Sequence, residues 1–296
     1  MSHRCLVIGA SGQLGRALCG EFLASRYEVV ESANRAPQPG QWHIDLSDPS
    51  ATVATLGEIK PDWILIAGAL GNVDRAETEP ERCFSVNVEG PRAIAEAART
   101  HGWSVVYYST DAVFDGTKEW YVESDPVSPV NIYSHSKVQG EVALRTLLPD
   151  RSLVIRTAWL YGPDEGRRNF VLRLVDDLRA GRPVQVPMDQ WGSPTYTEDV
   201  ACATRVLLER GCQGTFHAVG PDVVNRLALA KSVCQQFGLD KHLLEAKETA
   251  VLRQVAKRPL QVRLDCGTLR AVDSRPFRTL SQGLAALKAW DTALVT

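Results

Sequence analysis

The feature that most constrains the fold is a glycine-rich turn that joins a short apolar run to an amphipathic pattern. Residues 5–8 read Cys-Leu-Val-Ile, which is typical of a buried strand. Glycines then follow in a GxxGxxG spacing from Gly9 to Gly15, and Leu14, Leu18 and Phe22 recur at helical intervals. Glycines allow a tight turn and a close backbone approach to a pyrophosphate, and the helix N-terminus attracts anions. The pattern predicts a dinucleotide-binding turn, with a ligand-free tight turn as the alternative.

Short apolar runs alternate with helical patterns over the first 160 residues. The runs at 27–30, 63–67, 104–108 and 153–155 predict strands, and the alanine-rich stretch from Pro91 to Arg99 predicts a helix. Strands that are apolar on both faces and separated by helices indicate a parallel sheet covered on both sides. We therefore predict a doubly wound α/β (Rossmann) fold with a smaller C-terminal α/β lobe.

The pattern becomes less regular after residue 157. Further helical and strand patterns lie at 170–178, 198–209, 214–218 and 227–237. Thr197 is placed to cap the second of these helices. We predict an NAD(P)-binding domain over 1–157, to which 197–219 returns, and a substrate-binding lobe made of 158–196 and 220–296.

Composition excludes several classes of protein. The 296 residues include 33 Lys and Arg against 35 Asp and Glu, so no nucleic-acid or membrane surface is expected. The longest apolar run, Trp63 to Leu70, is far shorter than the roughly 20 residues that cross a bilayer. Seven cysteines without a CxxC argue against a disulfide framework, and the scattered histidines show no ligand spacing, so we expect no obligatory metal. Because the apolar run at the N-terminus is too short for a secretory signal, we expect a reducing, cytoplasmic compartment.

The second predicted strand and the loop after it carry the residues that distinguish NAD from NADP. Glu31 ends this predicted strand, and an acid about 20 residues after the glycines favours NAD. Asn34 and Arg35 follow, where a 2′-phosphate would lie, and arginine binds phosphate in a bidentate fork. Arg35 favours NADP, with NADPH preferred and NAD left open. Asp45, followed by Leu46 after a predicted third strand, would accept from the adenine amino group or cap the next turn.

A tyrosine and a lysine stand four residues apart at the start of a helical pattern. This spacing places Tyr133 and Lys137 on one helix face, with Cβ atoms about 6 Å apart. The pKa of free tyrosine is about 10, and a neighbouring ammonium would lower it, so Tyr133 could donate a proton to a carbonyl. The preceding strand ends in Ser109 and Thr110, at the sheet edge where ligands bind, and Thr110 could contact the same oxygen. His135 points away from Tyr133 on a helix and is expected to be solvated.

Together these segments resemble the extended short-chain dehydrogenase/reductase family, in its dTDP-4-dehydrorhamnose reductase-like branch. The resemblance covers nearly the whole chain. It is carried by Gly9–Gly15, Asn72–Glu77, Asn87–Pro91, Ser109–Gly116, Tyr133, Lys137, Arg156–Gly162, Asn169–Val171, Asp189–Thr195, Arg258-Pro259 and Leu264-Asp265.

The resemblance implies an NAD(P)H-dependent oxidoreductase that reduces a 4-keto sugar nucleotide. Tyr133 would protonate the carbonyl oxygen, Lys137 would tune Tyr133 and hold the nicotinamide ribose, and Thr110 would hydrogen-bond the substrate oxygen. The cofactor residues would be Gly9, Ser11, Gly12, Gln13, Leu14, Gly15, Asn34, Arg35, Asp45, Leu46, Ala67, Gly68, Ala69, Asn87, Tyr133 and Lys137. The substrate residues would be Val73, Thr110, Trp159, Asn169 and Arg258.

Three of these residues have alternative roles. Asn87 would help to place the active-site lysine or the cofactor. Trp159 would line the sugar pocket or pack as a core aromatic where the domains meet. Arg258 would contact the nucleotide or brace the second domain.

Two departures leave the sugar open. Ala112 stands where the branch usually has an aromatic residue, and Gly71 stands where it usually has a hydroxyl residue. Since both lie near the expected carbonyl, the identity of the sugar does not follow from the resemblance.

Two other activities remain as alternatives. The segments 257–259 and 264–266 also resemble the regulatory β subunit of methionine adenosyltransferase, which binds NADP and acts through a partner. A sugar-nucleotide epimerase is the third interpretation. For a reductase we expect a nucleotide-sugar substrate, no nucleic-acid or membrane partner, and a homodimer as an open possibility.

Overall fold

A seven-stranded sheet forms the centre of the protein, of which the computed structural model describes residues 3–294. Within that range the strands are β1 Arg4–Ile8, β2 Glu28–Ala33, β3 Trp42–His43, β4 Trp63–Ile66, β5 Ser104–Thr110, β6 Ser152–Thr157, β7 Leu160–Tyr161, β8 Val184–Pro187, β9 Trp191–Gly192, β10 Thr195–Tyr196, β11 Gly214–His217, β12 Val224–Asn225 and β13 Leu244–Lys247. The helices are α1 Gln13–Ala24, α2 Pro49–Ile59, α3 Val73–Thr78, α4 Pro80–Phe84, α5 Gly90–His101, α6 Ile132–Leu147, α7 Phe170–Arg179, α8 Thr197–Glu209, α9 Arg226–Phe237, α10 Gly267–Val272 and α11 Leu280–Ala293.

The sheet is parallel throughout, in the order β11-β6-β5-β4-β1-β2-β3. Successive side chains of β1 enter two different cores because a strand alternates its faces. Cys5 and Val7 pack with the side of α1 and α8, while Leu6 and Ile8 pack with the side of α2 and α5. The predicted doubly wound α/β fold is therefore confirmed.

The direction in which the chain adds strands reverses beside β1. The chain adds β2 and β3 on one side, and then returns to add β4, β5, β6 and β11 on the other. Open α/β sheets bind ligands at such a switch point, outside the carboxyl ends of the strands. Gly9 follows β1 here, Gly68 follows β4, and the Gly68 N–H donates to the carbonyl of Ile8 at 2.8 Å.

The C-terminal part of the chain has its own apolar core. Helices α7, α9 and α11 pack together around buried residues that include Leu172, Val175, Leu229, Val233 and Leu284. Short pairs of strands, β7 with β10, β8 with β13 and β9 with β12, lie outside the large sheet. We call this region the lobe, and its division from the cofactor domain at the predicted boundaries remains our interpretation.

Two predicted element ends are wrong. Strand β2 continues to Ala33, so Glu31 lies inside the strand, where its carboxylate accepts from the side chain of Gln41 at 2.8 Å. Helix α8 begins at Thr197 itself, and the extended Tyr196 holds the N-cap position. Pairing of β10 with β7 keeps residues 195–196 extended, and the helix therefore starts immediately after them.

The states of the cysteines and the character of the helices can be read directly from the structure. All seven cysteines are unpaired, and Cys5, Cys19, Cys83, Cys234 and Cys266 are buried. From residue 3 to residue 294, no helix combines the length and the apolar character needed to cross a membrane.

Candidate functional site

A cavity of about 370 Å³ opens at the carboxyl edge of the sheet, between the loops that follow β1 and β4. We call it the crevice. The predicted cofactor residues that line it are Gly9, Ser11, Gly12, Asn34, Arg35, Leu46, Ala67, Gly68 and Ala69. These residues come from four separate stretches of the sequence, and they meet in one space at the switch point.

The glycine-rich turn has no room for side chains. Gly9 has φ +88°, and a Cβ there would lie 2.7 Å from the Gly68 nitrogen. A Cβ on Gly15 would lie 2.1 Å from the Gly9 carbonyl oxygen. Gly12 holds the N-cap position of α1 without a side-chain cap, and the first turn of α1 carries no acid. Backbone N–H groups and the positive end of the helix are therefore available to an anionic ligand.

Other predicted cofactor residues do not line the crevice but contact the protein behind it. The Gln13 side chain donates to the carbonyl of Leu160 at 3.3 Å, Leu14 is buried in the core, and Gly15 packs on the turn. The Asp45 carboxylate accepts from the backbone and the hydroxyl of Ser47, at 2.9 and 2.7 Å. Of its two expected roles, the structure therefore places Asp45 in the one that caps a turn.

Arginines line the rim of the crevice. Arg35 is joined there by Arg75, Arg82 and Arg168. Hydrogen bonds from Arg75, together with the charges of Arg82 and Arg35, hold the pKa of Glu79 below its usual range. The rim is therefore positively charged, as a phosphate-bearing ligand requires.

Arg168 connects the lobe to the glycine-rich turn. Its guanidinium donates to the carbonyl of Ser11 at 2.8 Å while it forms an ion pair with Asp164 at 2.9 Å. Sequence reasoning missed Arg82 and Arg168 as rim residues because neither belongs to a phosphate-binding pattern, and it cited Arg75 only within a resembling segment. Only the fold brings α4 and the loop before α7 to the same edge.

The predicted catalytic side chains meet beside this crevice. Thr110 ends β5, and Asn131 caps the N-terminus of α6 by accepting from the Ser134 N–H at 2.8 Å. This cap starts the helix just before Tyr133, so Tyr133 and Lys137 lie one turn apart on the same face. His135 is exposed, as predicted.

Lys137 is buried against an aromatic ring. Its Nζ lies 3.8 Å from the centre of the Tyr107 ring, and the Tyr107 hydroxyl donates to the carbonyl of Asn87 at 2.8 Å. The Asn87 side chain accepts from the Leu70 N–H at 2.9 Å and donates to the Ser136 hydroxyl at 2.9 Å. Asn87 therefore connects the loop after β4 to α6 and supports the ring on which the lysine rests.

The pKa values of this pair differ from the expectation. Desolvation raises the pKa of Tyr133, the charge of Asp111 adds to the rise, and the Thr110 hydroxyl opposes it. Burial also lowers the pKa of Lys137 to about 7, although the charge of Glu141 opposes this change. The predicted lowering of the Tyr133 pKa is therefore wrong for this arrangement, because desolvation and the charge of Asp111 outweigh the opposing effect of Thr110.

Asp111 is a buried acid that sequence reasoning did not select. It follows Thr110 directly, and the Thr110 hydroxyl donates to its carboxylate at 3.0 Å. Burial raises the pKa of Asp111 to about 6, against the hydrogen bond from Thr110 and the charge of Arg226. In the sequence, Asp111 could have been selected because it belongs to the Ser109–Gly116 motif.

Trp159 lies where the two cores of the protein meet. It packs against the cores of the sheet and of the lobe, and its φ of +43° is in the left-handed region, which is uncommon for a bulky residue. A Cβ on Gly192 would lie 2.6 Å from the indole, so the ring rests directly on that glycine. Both expected roles of Trp159 are compatible with this position.

The other predicted substrate residues have partners within the protein. Asn169 caps α7 by accepting from the Leu172 N–H at 3.0 Å, and Val73 begins α3. Arg258 forms an ion pair with Asp74 at 3.0 Å, and its Nη1 is buried without a partner among residues 3–294. Arg258 therefore braces the late segment against α3, with one nitrogen left for a ligand.

Gly71 lines the crevice, and a Cβ there would meet nothing within 4 Å. A residue with a hydroxyl side chain, which is usual at this position in the branch, would therefore fit here without a change in the backbone. Among residues 3–294, no group of three or more His, Cys, Asp or Glu side chains is arranged to hold a metal ion. The expectation of no obligatory metal stays a prediction.

Comparisons with known proteins agree over nearly the whole chain. The family model described as "RmlD substrate binding domain" matches residues 3–290. A dTDP-4-dehydrorhamnose reductase of Streptomyces griseus is 34% identical, over 93% of this chain and 90% of that protein. Methionine adenosyltransferase 2 subunit beta of Mus musculus is 31% identical, over 94% of this chain and 86% of that protein.

A solved structure has the same fold. The crystal structure of dTDP-4-dehydrorhamnose reductase from Bacillus anthracis in complex with NADP superimposes with a TM-score of 0.89. It is 28% identical, and the match covers 98% of this chain and all of that one.

Proposed function

The chain belongs to the family described as RmlD substrate binding domain, and from this premise we propose that it is an NADPH-dependent reductase of a dTDP-linked 4-keto sugar. The membership confirms the resemblance to the dTDP-4-dehydrorhamnose reductase-like branch. The observation that carries the proposal is that Tyr133, which lies one helical turn from Lys137 and interacts with Thr110, packs in the cluster of Leu70 that lines the crevice.

The crevice fits a dinucleotide. The turn from Gly9 to Gly12 and the N-terminus of α1 would hold the pyrophosphate, and a Cβ on Gly9 or Gly15 would clash with backbone atoms of Gly68 or Gly9 and disturb this turn. Arg35 would contact a 2′-phosphate, and Lys137 would hold the nicotinamide ribose. When bound, NADPH supplies the hydride. The NADP in the Bacillus anthracis structure supports this choice of cofactor.

Tyr133 would be the proton donor. Because desolvation raises its pKa, Tyr133 stays protonated through neutral pH and has a proton to transfer to the carbonyl oxygen. The Lys137 ammonium, one helical turn away, would stabilise the phenolate that results. The Thr110 hydroxyl now donates to Asp111, so contact with the substrate oxygen requires that this hydroxyl rotate.

The test is NADPH oxidation by the purified protein with dTDP-4-keto-6-deoxyglucose, followed by nicotinamide absorbance. Tyr133→Phe should lower kcat by about a thousandfold, since it removes the proton donor. Tyr27→Phe is the matched control, because the Tyr27 hydroxyl donates to Glu209 at 2.8 Å on the far side of the sheet, and it should leave kcat unchanged. Turnover that survives in Tyr133→Phe would contradict the proposed chemistry.

A regulatory role is the second candidate. The likeness to methionine adenosyltransferase 2 subunit beta supports it, at 31% identity over 94% of this chain. If no 4-keto sugar nucleotide is turned over, and the kinetics of a methionine adenosyltransferase change on mixing, this role replaces the reductase. Purified protein that carries stoichiometric NAD and interconverts sugar epimers would instead support the epimerase alternative.

The remaining expectations concern partners and compartment. A sugar nucleotide is the substrate class that the reductase role implies. The seven unpaired cysteines support the proposal of a reducing, cytoplasmic compartment. The homodimer stays a prediction.

A further inference from the structure

Arg226 places its guanidinium over aromatic rings at the junction of the lobe and the sheet. Its guanidinium carbon lies 3.6 Å from the centre of the Trp159 ring and 4.9 Å from that of Phe170. Over the described range 3–294, this guanidinium contacts aromatic rings but forms no hydrogen bond and no ion pair. A guanidinium carries five N–H donors, and at a partly buried position those donors favour a ligand that accepts from them.

The position of Arg226 is fixed by its surroundings. Asn225 caps α9 by accepting from the Ala228 N–H at 2.7 Å, and the Arg226 N–H donates to the carbonyl of Gln190 at 3.0 Å. The indole of Trp159 holds the other end of the side chain by a cation–π contact. Both ends are therefore held before a ligand arrives, which reduces the entropy cost of binding.

The stack of Arg226 on Trp159 lies at the catalytic edge of the sheet, because Thr110 pairs with Thr157 at the ends of β5 and β6 and Trp159 follows two residues later. Asp111 acts electrostatically on both Arg226 and Tyr133, and it accepts from the Thr110 hydroxyl. Burial lowers the pKa of Arg226 to about 9, with Arg173 and Arg258 adding to the effect and Asp111 opposing it. Arg226 is still charged at neutral pH, and it is close enough to Asp111 for the two charges to interact.

The pair of charges discriminates between ligand chemistries. A neutral hydroxyl can donate to the Asp111 carboxylate while it accepts from the Arg226 guanidinium. A carboxylate on the sugar would be attracted by Arg226 and repelled by Asp111. The pair therefore suits a neutral, hydroxylated sugar ring and disfavours an acidic one.

We propose that Arg226 is a specificity-determining residue that binds a ring hydroxyl of the sugar together with Asp111. The proposal rests on the proposed function, because it takes a nucleotide sugar as the ligand. It assigns to the lobe a direct contact with the sugar, at the end of the site where the carbonyl is reduced.

The experiment measures binding of dTDP-glucose and of dTDP to the NADP-loaded protein by calorimetry. Arg226→Met should weaken the binding of dTDP-glucose by about tenfold to a hundredfold, the range for a hydrogen bond to a charged group, and change that of dTDP less than about twofold. Arg226→Lys should lie between, because lysine keeps the charge but lacks the planar fork. Arg173→Met is the matched control, since Arg173 is an exposed arginine that also acts on Arg226 but has no contact with Trp159, and it should bind both ligands as the wild type does.

The outcomes separate the two proposals. If the wild type binds dTDP-glucose and Arg226→Met binds it equally well, the role of Arg226 is overturned while the reductase stands. Equal losses for dTDP and dTDP-glucose would overturn it too, since Arg226 would then hold the diphosphate. If the wild type binds neither ligand, the proposed function fails and the inference fails with it. Should Arg226→Met not fold, a lysine variant with wild-type affinity for dTDP-glucose would overturn the inference.

Discussion

The crevice and the junction at Trp159 are built in different ways. In the crevice, backbone atoms form most of the binding surface, because Gly9, Gly12 and Gly15 shape the turn and α1 presents its N-terminus. At the junction, large side chains form the surface instead, since Arg226 stacks on Trp159 and Trp159 packs on Gly192. The comparison teaches that the glycine-rich turn is formed by residues that are contiguous in the sequence, whereas the junction is assembled from residues that are distant in it.

The largest effect expected is at the backbone-built crevice. Gly15→Ala places a Cβ 2.1 Å from the Gly9 carbonyl oxygen and forces the turn apart. We expect NADPH affinity to fall by about a hundredfold or more and stability to fall by about 1–3 kcal/mol, as in overpacked sites. Fluorescence titration and urea unfolding measure the two quantities. Gly20→Ala is the control on the same helix, because a Cβ there meets nothing within 4 Å, and alanine should stabilise α1 by about 1 kcal/mol. Equal losses in both variants would break the comparison.

The second effect concerns the buried charge between the two regions. The pKa of Lys137 is about 7 in the folded protein, against 10.5 for the free side chain. Below pH 7 the buried lysine is charged, and the full cost of burying that charge destabilises the folded state. This cost decreases as the pH rises from 7 and is lost near pH 10.5. Lys137→Met should therefore abolish activity yet stabilise the protein by about 2–4 kcal/mol at pH 6, with a smaller gain at pH 9. Urea unfolding at both pH values measures the difference. A gain that does not depend on pH would assign the effect to packing rather than to charge.

The smallest expected effect tests whether the junction contributes to sugar binding independently of the crevice. Trp159→Leu removes the ring on which Arg226 stacks but leaves the glycine-rich turn untouched. We expect the KM for the sugar nucleotide to rise about tenfold, in line with a cation–π contact of 1 kcal/mol or more, with an unchanged Kd for NADPH. Trp120→Leu serves as control, since Trp120 is 44% exposed and makes no such stack. A parallel loss of NADPH affinity in Trp159→Leu would show that the two regions are not separable.

The fold and the cofactor side were predictable to a large extent. Five strands of the central sheet, β1, β2, β4, β5 and β6, were recognised from apolar runs, and the turn from Gly9 to Gly15 lies where the pattern placed it. The pKa of Tyr133 was not predictable from the spacing to Lys137, because it depends on burial and on Asp111. The end of β2 was missed because Ser32 and Ala33, which are polar and small, pair with Trp42 and His43.

By itself the sequence determined the periodicity of the elements, the glycine-rich turn and the one-turn spacing of Tyr133 and Lys137, since each depends on residues that are close along the chain. Only the tertiary structure decided which distant charges face each other. Arg168 reaches the glycine-rich turn, and Arg226 on α9 lies close enough to Asp111 for their charges to interact. The physical reason is that burial and electrostatic coupling depend on distances in space, which a single sequence does not contain.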